Sequence, residues 1–173
     1  MRDWRPDIIQ LVQIKQAIDD ADVEGLWEFH LPRVAATDED LRDAEVAVGA
    51  HLDPQYREFL TYANGWPSFF HTIDLFGTDD LGGGARLDVA RQKLDAVEPV
   101  VLARAGLKRD AVVPIASTTE DLDLFVMPIA DGQQVPPVVW LAGDEVDRFT
   151  SFEAYVLAMI DYNARELATL TGQ

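Results

Sequence analysis

Histidine is the side chain best suited to proton transfer or metal binding near neutral pH, and the sequence has three, His30, His51 and His71. Metal ligation usually needs a second histidine four residues away on a helix, or cysteines at short spacing. No histidine here has such a neighbour, and the sequence contains no cysteine. The sequence therefore predicts neither a metal site nor a cofactor, and each histidine is expected at the surface or at the end of an element.

Nucleophilic and acid–base catalysis find equally little support. Ser68, Ser117 and Ser151 lie outside the Gly-x-Ser-x-Gly pattern of a nucleophilic serine, and Ser151 is better placed to begin a helix. Catalysis by carboxylates needs two of the 31 acidic residues at a defined separation, which sequence does not reveal. The glycines at 82–84 lack the Lys-Ser/Thr of a phosphate-binding loop. A small hydrolase is thus the least favoured hypothesis.

Binding of a protein partner requires other features, namely a charged surface and a few rigid aromatic side chains. Acidic candidates lie in segments with turn chemistry, and these are Asp79, Asp80, Glu120, Asp121, Asp123, Asp144 and Glu145. Aromatic candidates follow a predicted helix end, and these are Trp66, Phe69 and Phe70. If the predicted strands form one sheet, several acidic turns share one edge and present a negative field. For any single acid a plain solvated turn is the simpler interpretation, as a core position is for Trp66.

The net charge of −17 on 173 residues is the most unusual bulk property. It disfavours direct binding of nucleic acid or anionic lipid, because both carry negative charge. It suits a basic protein partner, although it also serves solubility alone. No apolar run reaches the about 18 residues of a membrane span, and the first ten residues do not resemble a secretion signal. We therefore expect a cytoplasmic protein.

The elements that must position these residues begin with helices. Apolar side chains at helical spacing predict helices over residues 7–19, 37–49, 53–64, 86–105 with an interruption at Pro99, and from 150 onward. Their starts carry capping patterns, which are Thr37 with Asp40, Asp53 with Pro54, and Thr150 with Glu153. Gly49 and Asn64-Gly65 suit helix ends. Residues 20–36 are predicted as a connection and residues 78–84 as a loop.

Short apolar runs predict strands within 71–77 and over 112–117, 122–129 and 137–142. Asp131-Gly132 supplies a turn between the last two. In 122–129 both alternating sets of side chains include apolar residues, so we expect helices or loops to cover both faces. The elements together predict one α+β domain, with a mixed, mainly antiparallel sheet packed with helices.

Several short motifs follow one another at tight spacing, and these are Ala44-Glu45, Gly49, Leu52, Pro54, Tyr56-Arg57, Phe59-Leu60 and Asn64-Gly65. Their order resembles the opening signature of the SUKH superfamily, which includes yeast cell-wall assembly regulators and many bacterial immunity proteins. IDLFGTDDL, VVPIAS, LDLFVMPI and FTSFEAYVLAMI resemble the family's later strands and closing helix. The resemblance covers about residues 34–160. We divide the chain into an N-terminal helix and connection (1–33), a SUKH-like domain (34–165) and a C-terminal tail (166–173).

Two positions depart from the family pattern. Asp53 stands between Leu52 and Pro54, where the family usually joins Leu to Pro directly, and STTEDLD at 117–123 replaces its usual Gly-Asp segment. The resemblance implies a non-catalytic binding module, with a preference for an immunity protein that neutralises a cognate, basic, nuclease-type toxin. The alternative is a regulatory or adaptor protein that binds a cellular protein without neutralising a toxin.

Overall fold

The structure, a computed structural model, describes residues 2–129 and 135–172. Its helices are Arg5–Ala21 (α1), Asp38–Val48 (α2), Pro54–Leu60 (α3), Thr78–Leu81 (α4), Ala85–Ala96 (α5), Pro99–Arg104 (α6) and Phe152–Thr171 (α7). Its strands are Trp66–Phe70 (β1), Ile73–Leu75 (β2), Val112–Ser117 (β3), Leu124–Pro128 (β4), Val138–Leu141 (β5) and Glu145–Phe149 (β6). A 3-10 turn at Arg109–Ala111 precedes β3. These elements confirm the predicted α+β class.

The described strands form one sheet whose spatial order, β1 to β6, is also their order in the sequence. Every neighbouring pair is antiparallel, so the sheet is simpler than the mixed sheet that was predicted. An antiparallel sheet with short connections brings alternate connections to the same end. The predicted turn at Asp131-Gly132 lies outside the described residues.

The sequence does not predict the two edge strands, β1 and β6. In β6 the charged residues Glu145, Asp147 and Arg148 hide any apolar alternation, and only Phe149 is buried. The strand exists because its backbone pairs with β5, with Arg148 opposite Val139 and Asp147 opposite Trp140. Strand formation at this edge is therefore decided by pairing with a neighbour and not by local residue preference.

Both faces of the sheet are covered by helices, as predicted from the apolar residues on both sides of 122–129. Phe125 of β4 contacts Tyr155 of α7 with 5.2 Å between ring centroids, while α5 packs against β3 and β4. Leu124 precedes Phe125 and so points to the α5 face, because neighbouring strand residues alternate. All six residues of β3 are buried. The central strands therefore lie inside the core.

Residues 2–33 are part of the same core. Trp4 is fully buried, and its ring meets Phe59 of α3 at 5.3 Å and Phe152 of α7 at 5.9 Å. The connection after α1 then runs beside the start of β1. There the N–H of Arg33 donates to the carbonyl of Gly65 at 3.1 Å, and the indole Nε1–H of Trp66 donates to the carbonyl of His30 at 2.8 Å.

Local capping explains why α2 and α3 begin where they do. The hydroxyl of Thr37 accepts a hydrogen bond from the N–H of Asp40 at 3.2 Å, and the Asp40 carboxylate accepts from the Thr37 N–H at 2.8 Å. The carboxylate of Asp53 accepts from the N–H groups of Gln55 and Tyr56, each at 3.0 Å. Both predicted caps are confirmed, and the second gives a physical role to the residue that separates Leu52 from Pro54.

Three local predictions are wrong. Residues 78–81 form a helical turn and not a loop, because the Asp80 carboxylate accepts from the Gly77 N–H at 3.0 Å and caps it. The predicted cap at Thr150 is wrong, because the hydroxyl of Ser151 accepts from the N–H of Ala154, which confirms the other prediction that Ser151 begins this helix. That helix continues through Thr171, so most of the segment assigned to a tail is helical.

Asn64-Gly65 does more than end a helix. Gly65 has φ of +81°, a left-handed conformation in which glycine is favoured, and its backbone packs against that of Gly77. A Cβ at Gly77 would lie 2.2 Å from the carbonyl oxygen of Asn64, so glycine is required there. The Asn64 side chain donates to the Thr78 hydroxyl at 2.8 Å and accepts from the Thr78 N–H at 2.7 Å. The pair thus joins the end of α3 to the start of α4.

Replacement of Tyr56 by phenylalanine is expected to lower the free energy of unfolding by about 1–2 kcal/mol. The Tyr56 hydroxyl is buried and donates to the carbonyl of Phe76 at 2.8 Å, which would lose this partner. Denaturant unfolding measures the change. Tyr62→Phe is the control, because its hydroxyl lies 3.4 Å from the Arg2 carbonyl on a half-buried ring. Equal destabilisation by both replacements would contradict the expectation.

Candidate functional site

Three connections between strands meet at one end of the sheet, and we name them the hairpin end. They are residues 71–72, 118–123 and 142–144. The strand pairs that close them are Phe70 with Ile73, Ser117 with Leu124, and Leu141 with Glu145. Connections that are far apart in sequence therefore lie at the same end of the sheet, with residues 118–123 between the other two.

Hydrogen bonds hold the first two connections against each other and join β5 to the second. The hydroxyl of Thr118 donates to that of Thr72 at 2.9 Å and so links the first connection to the second. The Ser117 hydroxyl donates to the Asp123 carbonyl at 2.9 Å across the base of the second. The indole Nε1–H of Trp140 in β5 donates to the Asp123 carboxylate at 2.7 Å. The hairpin end is thus built as one unit.

A lysine from α5 fills the interior of the second connection. The ammonium group of Lys93 donates to the Ser117 hydroxyl at 3.1 Å, to the Asp123 carbonyl at 3.2 Å and to the Thr118 carbonyl. Burial lowers the pKa of Lys93, while the nearby Asp123 and Asp121 oppose that change. The charge of Lys93 is therefore directed into the loop and not toward a partner.

Five of the seven acidic candidates lie at the hairpin end, but they are not equivalent. Asp123 is engaged by Trp140, as described. Asp144 accepts two hydrogen bonds from Arg104, each of 2.6 Å, and this guanidinium lowers the pKa of the Asp144 carboxyl. The Glu145 carboxylate accepts from Arg148 Nε at 2.8 Å. These three carboxylates serve contacts within the chain.

Glu120 and Asp121 differ from the other three acids of the hairpin end. Both are exposed, and neither forms an ion pair with any residue that the structure describes. Their loop is fixed from below by the Lys93 ammonium group and by a hydrogen bond from the Glu120 N–H to the Thr118 hydroxyl at 3.1 Å. A loop held by these bonds, with two exposed carboxylates outside any described ion pair, can attract a cationic group without first breaking an internal ion pair.

The remaining two acidic candidates lie at the opposite end of the sheet, on α4. Asp80 is buried, and its carboxylate contacts Arg33 at 2.6 Å and Arg86 at 3.4 Å besides capping Gly77. It is a structural residue that joins the connection after α1 to α5, and it is not accessible to a partner. Asp79 is exposed but is far from the hairpin end along the strands.

The structure also separates the three aromatic candidates. Trp66 and Phe69 are fully buried, so neither side chain is accessible to a partner in this fold. Phe70 is half-buried and lies at the hairpin end. The simpler interpretation of Trp66 as a core residue agrees with its position.

Phe70 belongs to an aromatic strip on the α7 side of the hairpin end that the sequence did not suggest. The His71 ring stacks between Trp27 and Phe70, with centroid distances of 3.8 and 3.9 Å, and Tyr162 of α7 lies 5.7 Å from Phe70. Trp140 continues the strip at 6.5 Å from Tyr162. All five rings are half-buried. They come from four separate parts of the chain, so only the folded register reveals the strip.

The strip and an acidic residue of α7 together hold the histidine in one position. His71 Nε2 lies 3.0 Å from the Glu166 carboxylate, which also accepts from the Trp27 indole N–H at 3.1 Å. Burial lowers the pKa of His71, and the contact with Glu166 opposes that change. His51 is exposed near Glu45, and His30 contacts Glu28. Within residues 2–129 and 135–172, no three His, Cys, Asp or Glu side chains are grouped to hold a metal ion.

Lys15 of α1 lies beneath the aromatic strip, and it provides a pH-dependent prediction. It is buried, it donates to the Ser68 carbonyl, and burial lowers its pKa to about 8. An unfolded lysine has a pKa of about 10.4. Between these pH values the unfolded chain binds more protons than the folded chain, so Lys15 makes the free energy of unfolding rise with pH. Below about pH 8 Lys15 is protonated in both states, and the full cost of burying its charge lowers the stability of the fold.

Replacement of Lys15 by methionine is expected to remove this rise. Unfolding free energies of the wild type and of Lys15→Met, measured by urea titration across the alkaline range, should differ by a constant below about pH 8. Above that pH the wild type should gain stability relative to the variant. Parallel curves through the whole range would show that Lys15 keeps its ordinary pKa.

The fold and the hairpin end define a class of protein: a single α+β domain with one antiparallel sheet covered by helices, and with exposed carboxylates on one sheet connection. The family model of the SMI1 / KNR4 family (SUKH-1) matches residues 35–158, well over half of the chain, and the chain belongs to this family. α1 and the connection after it lie outside the matched region. No curated protein significantly matches the sequence. Among the described residues, no helix has the length and hydropathy needed to cross a bilayer.

Proposed function

We propose that this protein is a non-catalytic binding module and that it acts as an immunity protein for a basic, nuclease-type toxin. The observation that carries the proposal is the convergence of three strand connections at the hairpin end, where Glu120 and Asp121 are exposed and form no ion pair among the described residues. Membership of the SUKH-1 family supports binding, because the superfamily includes immunity proteins.

The chemistry of the interaction follows from charge. A nuclease presents basic residues to the phosphates of its substrate, and a fixed group of carboxylates can occupy the same positions. The net charge of −17 accelerates the encounter with such a partner and repels nucleic acid itself. The protein would act in the cytoplasm, where a nuclease toxin meets its substrate.

A second candidate function is that of an adaptor that binds a cellular protein without neutralising a toxin. The observation that favours it is the loop 117–123, whose sequence STTEDLD differs from the usual Gly-Asp segment of the family. A different loop at the contact surface selects a different partner.

The test is calorimetric titration of the purified protein with the basic toxin domain encoded beside its gene, together with a nuclease assay. We expect one-to-one binding, loss of nuclease activity, and a Kd that rises with salt concentration. Absence of binding to every neighbouring toxin domain at low salt would overturn the immunity function. Failure to rescue cells from the toxin, together with a defined cellular partner of the purified protein, would establish the adaptor function instead.

A further inference from the structure

An apolar groove of about 380 Å³ lies on the α5 side of the hairpin end. It is separate from the aromatic strip, which lies on the α7 side of the sheet. The groove runs between α5 and the ends of β4 and β5, and its main lining residues are Val89, Lys93, Ala96, Leu122, Leu124 and Leu141.

The floor and the rim of the groove differ in accessibility. Leu124 and Leu141 are buried and form the floor. Leu122 stands at the rim with 61% of its surface exposed. Lys93 contributes only its aliphatic chain, because its ammonium group is bonded inside the loop. The groove therefore presents an apolar surface to any side chain that enters it.

The charges around the groove are mainly acidic. Glu120 and Asp121 immediately precede Leu122 and are exposed. Asp144 lies beyond Gly143 at the other wall, paired with Arg104. An apolar groove with carboxylates at its rim favours an apolar side chain that has cations next to it.

We propose that this groove takes one apolar side chain of a partner protein, carried on a segment with lysine or arginine on both sides. The inference deepens the proposed function and rests on it for the identity of the partner as a basic toxin. Charge argues against a second copy of this chain as the occupant, because two molecules of net charge −17 would bring their acidic rims together.

The groove is tested directly with short synthetic peptides added to the isotopically labelled full-length protein. One peptide has a central leucine between lysines, the second has serine in place of leucine, and the third has glutamates in place of the lysines. We expect the first to shift the NMR amide signals of Leu122 and Gly143, and the serine peptide to bind about tenfold more weakly. The glutamate peptide should not bind.

A pair of protein variants adds a second measure. Leu122→Ser should weaken binding of the leucine peptide by about fivefold or more, since it removes apolar surface from the rim. Leu157→Ser is the matched control, because Leu157 is also exposed, at 44%, but lies on α7 at the other face of the sheet. Equal affinity for the leucine and serine peptides, equal effects of the two variants, or no shift at Leu122 and Gly143 would each overturn the inference.

The same variants separate this inference from the proposed function. If the wild type and Leu122→Ser bind the neighbouring toxin domain equally, the groove is not used and the inference fails while the immunity function stands. If no toxin domain binds but the leucine peptide shifts Leu122 and Gly143, the immunity function fails. The groove is then a site for a basic segment of another protein.

Discussion

Replacement of Glu120 and Asp121 together by lysine is expected to weaken binding of the basic partner roughly 100-fold, or about 2.7 kcal/mol. Both carboxylates are exposed and neither has an ion-pair partner among the described residues, so the loss reports on the interface and not on the fold. Each replacement turns an attraction into a repulsion between like charges. Most of the effect should appear in the association rate and should shrink as salt is added.

The matched control is the double variant Asp43→Lys and Asp79→Lys. Both acids are exposed, and they line one shallow surface between α2 and α4 at the opposite end of the sheet. Each double variant changes the net charge from −17 to −13, because each replacement of an acid by lysine adds two positive charges. Binding kinetics with the toxin domain should show a large change only for the first variant. If both double variants weaken binding equally, net charge governs recognition and the hairpin end has no special role.

Replacement of Trp4 by alanine is expected to lower the free energy of unfolding by about 4 kcal/mol. Trp4 is fully buried and packs edge-on against Phe59 and Phe152, so the change leaves a large cavity between α1, α3 and α7. Its indole N–H has no hydrogen-bond partner in the part of the chain that the structure describes. The loss is therefore one of packing, although Trp4 lies outside the region matched by the family model.

Denaturant unfolding followed by circular dichroism measures this effect, and Trp27→Ala provides the comparison. Trp27 belongs to the same N-terminal part of the chain but is half-buried at the aromatic strip, so its loss should cost roughly 1–2 kcal/mol. A smaller loss of unfolding free energy for Trp4→Ala than for Trp27→Ala would mean that residues 2–33 pack on the surface of the domain and are not part of its core.

The parts of the fold that the sequence predicted are those set by neighbouring residues. Thr37 with Asp40 and Asp53 with Pro54 begin helices through hydrogen bonds within three positions, so their patterns are readable locally. The central run 112–117 is apolar except for Ser117 because helices cover both its faces, and the strand there has these bounds. β6 escaped prediction because its pairing with β5 overrides a charged and locally unfavourable sequence.

The candidate site was predicted less well because exposure depends on distant partners. Nothing near Asp80 in the sequence shows that Arg33, 47 positions away, will pair with it and bury it. Glu120 and Asp121 carry the same local turn pattern as Asp80, yet they remain free of ion pairs within the described residues. The aromatic strip likewise depends on stacking between Trp27 and His71, which no spacing in the sequence indicates.

The two edge strands of the sheet, β1 and β6, are protected from pairing with further strands in different ways. Beside β1 the chain's own residues 30–33 occupy the margin, through the bonds from Trp66 to the His30 carbonyl and from Arg33 to Gly65. Among the described residues no strand pairs with the outer edge of β6, and Glu145, Asp147 and Arg148 lie along it. Charged side chains on an open margin discourage further strands from adding to it. The charged residues that make β6 hard to predict from the sequence therefore also protect the molecule against fibril-like self-assembly.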